Sequence, residues 1–196
     1  PRVALPSRAD ILAIGVSTGG PNALAAVLSQ LPRDFPLPIV IVQHMPPVFT
    51  RLLAERLNTS CPLEVKEGEA GAVLRPGLVW IAPGDHHMLL RRAANAVELV
   101  LTQDAPENSC RPAVDPLFRS AAQLFGAHTL GLVLTGMGYD GLRGAECTRQ
   151  AHGQVLAQDE ATSVVWGMPG AVASAALADR VLPLDQIVGE LVLRAR

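Results

Sequence analysis

Several features that mark common protein classes are scarce in this sequence of 196 residues. Lysine is almost absent, since Lys66 is the only lysine among 16 basic residues, and the formal net charge is −2. The arginines are scattered and form no basic patch, so we expect no nucleic-acid partner. No uninterrupted apolar run reaches the roughly 18 residues that a membrane-spanning helix needs. The first residues also lack the layout of a secretion signal, so we expect a soluble protein without membrane insertion.

Cysteine is scarce as well. The three cysteines, Cys61, Cys110 and Cys147, are odd in number, widely separated and free of any CxxC spacing. This pattern predicts neither a disulfide framework nor a zinc site. A reducing cytoplasm is the location that fits best.

Short apolar runs alternate with segments of helical spacing along the chain. With 49% hydrophobic residues the chain can bury one substantial core, so we expect a single domain over residues 1–196. The predicted strands are 11–16, 38–42, 78–81, 130–134, 154–157 and 181–184, and the predicted helices are 22–31, 48–57, 115–124, 142–151, 169–177 and 186–193.

The alternation of strands and helices predicts an α/β fold. Strands separated by helices form parallel crossovers, so we expect a doubly wound, mostly parallel sheet with helices on both faces. Two further apolar runs, 88–90 and 97–101, flank the polar connection 91–95. They predict an antiparallel β-hairpin at one edge of the sheet.

Three predicted strands end in loops that carry Ser17, His44 and Asp140. In open α/β sheets, ligands bind outside the carboxyl ends of the strands, because loops and helix N-termini converge there. We therefore expect these three side chains to meet. They are the residue types of a hydrolytic triad.

The sequence Gly15-Val16-Ser17-Thr18-Gly19 satisfies the GxSxG pattern of a nucleophile elbow. Small neighbours allow the serine to sit on a tight turn with its hydroxyl exposed. Gly19 and Gly20 would free backbone N–H groups at the start of the next helix, where an oxyanion could be stabilised. A plain glycine-rich turn remains the alternative interpretation.

His44 and Asp140 also have two interpretations each. His44 could be the general base for Ser17, or a hydrogen-bonded core histidine. Asp140 could orient the imidazole, or cap the helix that follows it. The chain order Ser, His, Asp differs from the order Ser, Asp, His of α/β-hydrolases, so we expect a different fold with the same geometry.

Two other kinds of site find less support. Asp85-His86-His87 has metal-ligating side chains, but neighbours on an extended segment point to opposite faces, so we expect no metal. The turn from Gly15 to Gly20 could cradle a phosphate. It lacks the GK[ST] ending of a P-loop, however, and no acidic residue ends the second strand to bind a ribose.

Taken together, the loop motifs resemble the catalytic domain of the bacterial chemotaxis protein-glutamate methylesterases. The segments that carry this resemblance are Ile14-Gly15-Val16-Ser17-Thr18-Gly19-Gly20-Pro21, Val42-Gln43-His44-Met45 with Phe49-Thr50, Ala82-Pro83-Gly84-Asp85-His86-His87-Met88, Arg111-Pro112-Ala113-Val114-Asp115 with Leu117-Phe118, Leu134-Thr135-Gly136-Met137-Gly138-Tyr139-Asp140-Gly141 and Gly167-Met168-Pro169-Gly170-Ala171-Val172. They cover nearly the whole chain, and their combination is highly specific.

The resemblance implies a role for each residue of the three loops. Ser17 would be the nucleophile, His44 the base and Asp140 the orienting acid, while Thr18 and the backbone of Met137 would help to form the active site. The implied substrate is a γ-methylated glutamate on the cytoplasmic helices of a chemoreceptor, with glutamate and methanol as products. Deamidation of receptor glutamines would be a second activity, and no cofactor would be needed.

The resemblance also implies a regulatory partner. The family usually carries an N-terminal phosphoacceptor receiver domain, for which there is no room before Ile11. A fragment and a free-standing esterase domain both remain open, as does a domain that keeps the fold but only binds other proteins.

Overall fold

A computed structural model describes residues 8–196 of the chain, so residues 1–7 of the predicted domain lie outside it. The described strands are β1 (Ile11–Val16), β2 (Ile39–Gln43), β3 (Glu64–Glu67), β4 (Leu78–Ile81), β5 (His87–Ala93), β6 (Ala96–Thr102), β7 (Thr129–Val133), β8 (Gln154–Gln158) and β9 (Arg180–Leu182). The helices are α1 (Gly20–Leu28), α2 (Phe49–Ser60), α3 (Val114–Phe125), α4 (Leu142–Gln150), α5 (Met168–Ser174) and α6 (Leu184–Arg194), with a 3-10 turn at Gly126–His128. None of the helices between residues 8 and 196 is both long enough and apolar enough to span a bilayer.

Seven strands form one parallel sheet in the order β3-β4-β2-β1-β7-β8-β9. The first strand of the chain therefore lies in the middle, and later strands are added on either side of it. Helices lie in the connections between the other consecutive parallel strands, as crossover connections usually require, whereas residues 68–77 join β3 to β4 without a helix. The predicted fold class is confirmed.

Side chains of β1 alternate between two hydrophobic cores, because successive residues of a strand point to opposite faces. Leu12, Ile14 and Val16 enter a core that includes residues of α1, α2 and α6. Ile11 and Ala13 enter a second core that includes residues of α3, α4 and α5. The sheet is thus covered by helices on both faces, which explains why β1 is fully buried.

The predicted hairpin is present, but it forms a two-stranded sheet of its own and does not extend the large sheet. It packs against α3, where the Ser120 hydroxyl accepts a hydrogen bond from Leu90 N–H at 3.1 Å. Its strands are longer than predicted, so the connection shortens to Ala94 and Asn95. The sequence analysis missed β3, an edge strand with a single buried residue, Val65.

The helices after β1 and β7 lie on opposite faces of the sheet, although these two strands are neighbours. The loops that leave them therefore diverge. Such a divergence opens a crevice at the carboxyl ends of the strands, which is the usual ligand position in this architecture. Ser17 and Asp140 lie on these two loops, and His44 directly follows the next strand, β2.

Candidate active site

The turn that carries Ser17 begins directly after β1. Gly20 N–H donates a hydrogen bond to the Ser17 carbonyl at 2.8 Å, which closes the turn before α1 begins. Gly19 adopts φ 83°, a left-handed conformation that disfavours side chains. In the predicted elbow, the left-handed backbone conformation is therefore adopted by Gly19. Ser17 is half-buried at the crevice.

The sheet places Ser17 and His44 side by side. Val16 pairs with Gln43 in register, and His44 N–H donates to the Val16 carbonyl at 3.1 Å. The Gln43 amide then bridges the two loops, since its Nε2 donates to the carbonyls of Ser17 at 3.0 Å and His44 at 3.1 Å. Sequence reasoning assigned no role to Gln43. A glutamine that ends an otherwise apolar strand was the available signal.

Asp140 lies against His44 from the loop after β7. The distance between His44 Nε2 and Asp140 Oδ2 is 2.7 Å, and the side chains are 12% and 2% exposed. The structure thus brings the predicted base and the predicted orienting acid into direct contact. The interpretation of His44 as a core histidine is incomplete, because 12% of its side chain is exposed and its backbone pairs with Val16, next to Ser17.

Backbone N–H groups of α3 also converge on Asp140. Its Oδ2 accepts from Val114 N–H at 2.6 Å, and its Oδ1 accepts from Asp115 N–H at 3.1 Å. A carboxylate at a helix N-terminus is stabilised by unpaired N–H groups and by the helix dipole. Asp140 is therefore held in place by the start of α3 as well as by His44.

The helix that follows Asp140 is capped by a different residue. Asp115 accepts hydrogen bonds from Gly141 N–H at 3.0 Å and from Gly144 N–H at 2.7 Å. Asp140 itself accepts only Gly141 N–H from that segment, at 3.0 Å. Asp140 thus accepts hydrogen bonds from the start of α3, and Asp115 of α3 accepts hydrogen bonds from the start of α4. The sequence analysis did not predict this exchange.

Burial and hydrogen bonding change the pKa values of these groups. Burial alone would lower the pKa of His44, but the hydrogen bonds to Asp140 and Cys110 and their charges outweigh it and raise the pKa to about 9. Burial opposes ionisation of Asp140, yet the hydrogen bonds from His44 and Val114 hold its pKa below the usual value. Burial and the nearby charge of Asp140 raise the pKa of Asp115. At neutral pH the pair is therefore an ionised Asp140 beside a protonated His44.

The ring orientation of His44 identifies the nitrogen that faces away from Asp140. Because Nε2 bonds to Asp140, Nδ1 is the nitrogen left for a proton from a substrate or nucleophile. Cys110 Sγ lies 3.7 Å from this Nδ1. The Ser17 hydroxyl has no hydrogen-bond partner among residues 8–196. Contacts between nucleophile and base are often loose in unliganded active sites and tighten when substrate binds.

Thr18 follows Ser17 in the same turn, and Met137 lies on the neighbouring loop after β7. Gly136 approaches Ser17 so closely that a methyl group at its Cα would be 2.8 Å from Ser17 Cβ. Met137 follows and is 69% exposed, and the Thr18 carbonyl accepts from the Thr135 hydroxyl at 2.9 Å. Within the described part of the chain, neither Thr18 N–H nor Met137 N–H donates a hydrogen bond. Gly20 N–H, by contrast, is occupied within the turn.

The side chains of Asp85, His86 and His87 contact different partners and do not point to a common site. Asp85 forms an ion pair with Arg111 at 2.5 Å. His87 is buried; its Nδ1 accepts a hydrogen bond from Ala113 N–H at 3.2 Å, and its Nε2 lies 3.1 Å from the Ala105 carbonyl. Over residues 8–196, no three side chains of the types that bind metals are grouped to hold an ion.

Comparison with known proteins adds an independent observation. Residues 12–191 match the family model described as CheB methylesterase. The chain is 55% identical over 185 residues to a protein-glutamate methylesterase/protein-glutamine glutaminase of Trichodesmium erythraeum, and it covers 53% of that protein. It is 54% identical over 190 residues to a protein of the same name in Maricaulis maris, of which it covers 47%. These matches include 94% and 97% of this chain. The chain therefore matches almost throughout, but it spans only about half the length of the curated relatives.

A solved structure shows the same architecture. The CheB methylesterase catalytic domain of Thermotoga maritima superimposes with a TM-score of 0.92 at 44% sequence identity. The similarity covers 94% of this chain and 97% of that domain. The family resemblance read from the loop motifs is confirmed by both kinds of comparison.

Proposed function

Because this chain belongs to the CheB methylesterase family, we propose that it is a catalytic domain that hydrolyses glutamate γ-methyl esters, with Ser17 as its nucleophile. His44 is the general base in this proposal, and Asp140 is the acid that orients it. The observation that carries the proposal is the 2.7 Å contact between His44 and Asp140 at the edge of the sheet where Ser17 follows β1.

The first half of the proposed reaction forms an acyl-enzyme. Ser17 Oγ attacks the carbonyl carbon of the methyl ester while its proton passes to His44 Nδ1. The tetrahedral intermediate then collapses, the bond to the methoxy oxygen breaks, and that oxygen takes the proton from His44 and leaves as methanol. Asp140 stabilises the protonated imidazole during this step and fixes the ring so that Nδ1 faces the nucleophile.

The second half returns the free enzyme. A water molecule attacks the acyl carbon, and His44 Nδ1 accepts one of its protons. The bond to Ser17 Oγ breaks and the serine recovers the proton from His44. The product is a glutamate carboxylate, so the net reaction converts ester and water into acid and methanol.

Thr18 N–H and Met137 N–H are the proposed donors to the oxyanion. Both groups belong to loops beside Ser17, and each N–H is unpaired within residues 8–196. Preorganised donors at such a position stabilise the charge that develops on the carbonyl oxygen. The structure supports this assignment because no rearrangement of existing hydrogen bonds would be needed.

The proposed substrate is a methylated glutamate on the cytoplasmic helices of a chemoreceptor. The names of the relatives also include protein-glutamine glutaminase, and an amide would follow the same path with ammonia as the leaving group. We propose a receiver domain as a regulatory partner, as the family resemblance implies. The triad chemistry needs no cofactor. We propose that the enzyme acts in the cytoplasm, because the proposed substrate lies on the cytoplasmic helices of a receptor.

Release of methanol from a defined receptor tests this function. Membranes carrying a chemoreceptor with tritiated glutamate methyl esters are incubated with the purified chain, and volatile label is counted. We expect release well above that of membranes alone. Release equal to that background from a folded chain, both with this receptor and with a synthetic peptide glutamate methyl ester, would contradict the proposal.

The rate of ester hydrolysis should rise with pH until His44 is deprotonated. The base must be unprotonated to accept the Ser17 proton, and the pKa of His44 is raised to about 9. We therefore expect kcat/KM for a peptide methyl ester to increase from about pH 6, to reach half its maximum at about pH 9 and to level off at higher pH, since this parameter reports the free enzyme. Initial rates corrected for spontaneous hydrolysis give the profile. A midpoint near the ordinary histidine value of 6.5 would show that Asp140 does not act on His44 as described.

Gly136→Ala should disturb the nucleophile directly. The added methyl group would lie 2.4 Å from Met168 Sδ and 2.8 Å from Ser17 Cβ, so one of these neighbours must move. We expect kcat to fall roughly 10-fold or more, because small displacements of reacting groups are costly. Gly189→Ala is the matched control, since nothing lies within 4 Å of a methyl group there. If both variants keep wild-type kcat, the close approach of Gly136 does not position Ser17.

A further inference from the structure

The turn Glu107–Cys110 lies directly over the contact between His44 and Asp140. Two backbone hydrogen bonds close it, Glu107 N–H to the Cys110 carbonyl at 3.1 Å and Cys110 N–H to the Glu107 carbonyl at 2.8 Å. An ion pair between Glu107 and Arg119 of α3 holds the turn to the body of the domain at 2.5 Å. The turn is therefore a fixed element beside the active site.

Asn108 extends from this turn between two buried carboxylates. Its Nδ2 lies 2.8 Å from Asp115 Oδ2 and 2.8 Å from Asp140 Oδ1. An amide nitrogen carries two hydrogens, so each carboxylate can receive one of them. The reverse orientation of the amide would place its oxygen against two negative groups. The contacts therefore determine which way the side chain points.

The two carboxylates repel each other when both are ionised, and the Asn108 amide reduces this repulsion. Asp115 and Asp140 are each 2% exposed, and two like charges at close range disfavour ionisation of one of them. If the pair retained a proton on Asp140, the negative charge opposite His44 would be lost. Two N–H groups between the carboxylates offset their repulsion, because a hydrogen bond to the charged form favours that form.

The backbone at Asn108 fits this placement. Asn108 has φ 51° and Ser109 has φ 61°, so two successive residues are left-handed. Asparagine tolerates this conformation better than most residues that have a side chain. Asn108 thus adopts the left-handed backbone conformation of the turn and also supplies the amide between the two carboxylates.

We propose that Asn108 is a positioning residue that keeps Asp140 ionised and correctly oriented against His44. The proposal rests on the proposed function, since it assigns Asp140 to the orientation of the base. Asn108 acts through Asp140 and does not contact the reacting atoms in this proposal.

The charged and titratable groups around this cluster belong to several elements. His44 faces Asp140 from the end of β2, Asp115 faces it from α3, and Cys110 on the turn faces the other side of the His44 ring. The positive charges that act on Asp115 and Glu107 come from Arg143 and Arg119. Apart from His44→Gln, which serves only to assign a resonance, the variants below keep all of these groups, so a change in titration in Asn108→Gly reports the missing amide.

Asn108→Gly is the main test, because glycine adopts the same left-handed backbone and removes only the amide. We expect kcat, measured above the pH midpoint where His44 is unprotonated, to fall about 10-fold while KM stays within about 2-fold, since a positioned general base contributes roughly 10²–10⁴-fold to the rate. The midpoint of the pH profile of kcat/KM should also shift downward from the wild-type value. Ser109→Gly loosens the same turn at an exposed position and should leave both quantities unchanged.

Asn108→Asp is a second variant that keeps the size of the side chain. It replaces the donors by a third carboxylate, so we expect a larger fall in kcat than for Asn108→Gly. Thermal unfolding of each variant establishes that the domain is folded. The inference is overturned if folded Asn108→Gly matches Ser109→Gly in kcat and in the pH midpoint.

A titration of His44 by NMR keeps this inference separate from the proposed function. The His44 resonance, assigned by its loss in His44→Gln, should titrate at a lower pH in Asn108→Gly than in the wild type. This measurement needs no substrate. A lower midpoint supports the role of Asn108 even if the methyl-release assay fails, and a midpoint equal to or above the wild type refutes that role even if the enzyme is active.

Discussion

Ser17→Ala should reduce the release of methanol by a factor of about 10³ or more, because it removes the atom that forms the acyl-enzyme in the proposed reaction. The substitution deletes one oxygen from a half-buried side chain. Backbone groups make the contacts that shape the turn, namely Ser17 N–H to the Thr135 carbonyl and Gly20 N–H to the Ser17 carbonyl. The turn should therefore remain, and the measured loss is a loss of chemistry.

A matched control separates the nucleophile from a general effect of removing a hydroxyl. Ser29→Ala makes the same change at the other end of α1, where the Ser29 hydroxyl lies 3.4 Å from the Ala26 carbonyl at an exposed position. We expect wild-type kcat for Ser29→Ala and an unchanged melting temperature for both variants. Substantial turnover by Ser17→Ala would mean that another group attacks the ester.

His44→Ala should reduce kcat by a similar factor, because the serine then has no base to accept its proton. Triad members act as a unit, so Ser17→Ala combined with His44→Ala should be no slower than the worse single variant. The rates are measured by methyl release at saturating peptide ester. His128→Ala, at a histidine on the 3-10 turn with an exposed side chain, serves as the control and should keep wild-type activity. Losses that multiply in the double variant would show that the two residues act independently.

His44→Ala should also change how stability depends on pH. The pKa of His44 is raised from 6.5 in the unfolded chain to about 9 in the fold, so its protonated form favours the folded state. This stabilisation is complete below pH 6.5 and is lost as the pH rises through about 9. The free energies of unfolding of wild type and His44→Ala should therefore draw together as the pH rises across that interval.

The meeting of the three candidate loops could be predicted because it follows from strand order. Ser17 directly follows an apolar run, His44 and Asp140 lie in the loops after two further runs, and parallel strands bring their carboxyl ends to one edge. The predicted bounds of six parallel strands agree with the structure within two residues, whereas β5 of the hairpin ends three residues later than predicted. The roles of Thr18 and Met137 came from the family resemblance alone, and they stay predictions because no contact to a substrate tests them.

The supporting residues could not be predicted from the same signals. Asn108 and Asp115 belong to a turn and a helix start that lie far from Asp140 along the chain, and only the folded domain brings them together. The strand β3 was missed because Val65 is the only apolar residue in Glu64–Glu67. Its edge position lets the other side chains remain polar, so the usual alternating pattern is weak.

The most direct test of the central claim is covalent labelling by a phosphonate ester that reacts with activated serines. After incubation with the intact chain, peptide mapping by mass spectrometry identifies the modified residue. We expect label on Ser17 alone, a much slower reaction in His44→Ala, and none in Ser17→Ala. Label on a different residue, or equal labelling rates in wild type and His44→Ala, would contradict a nucleophile at Ser17 that is activated by His44.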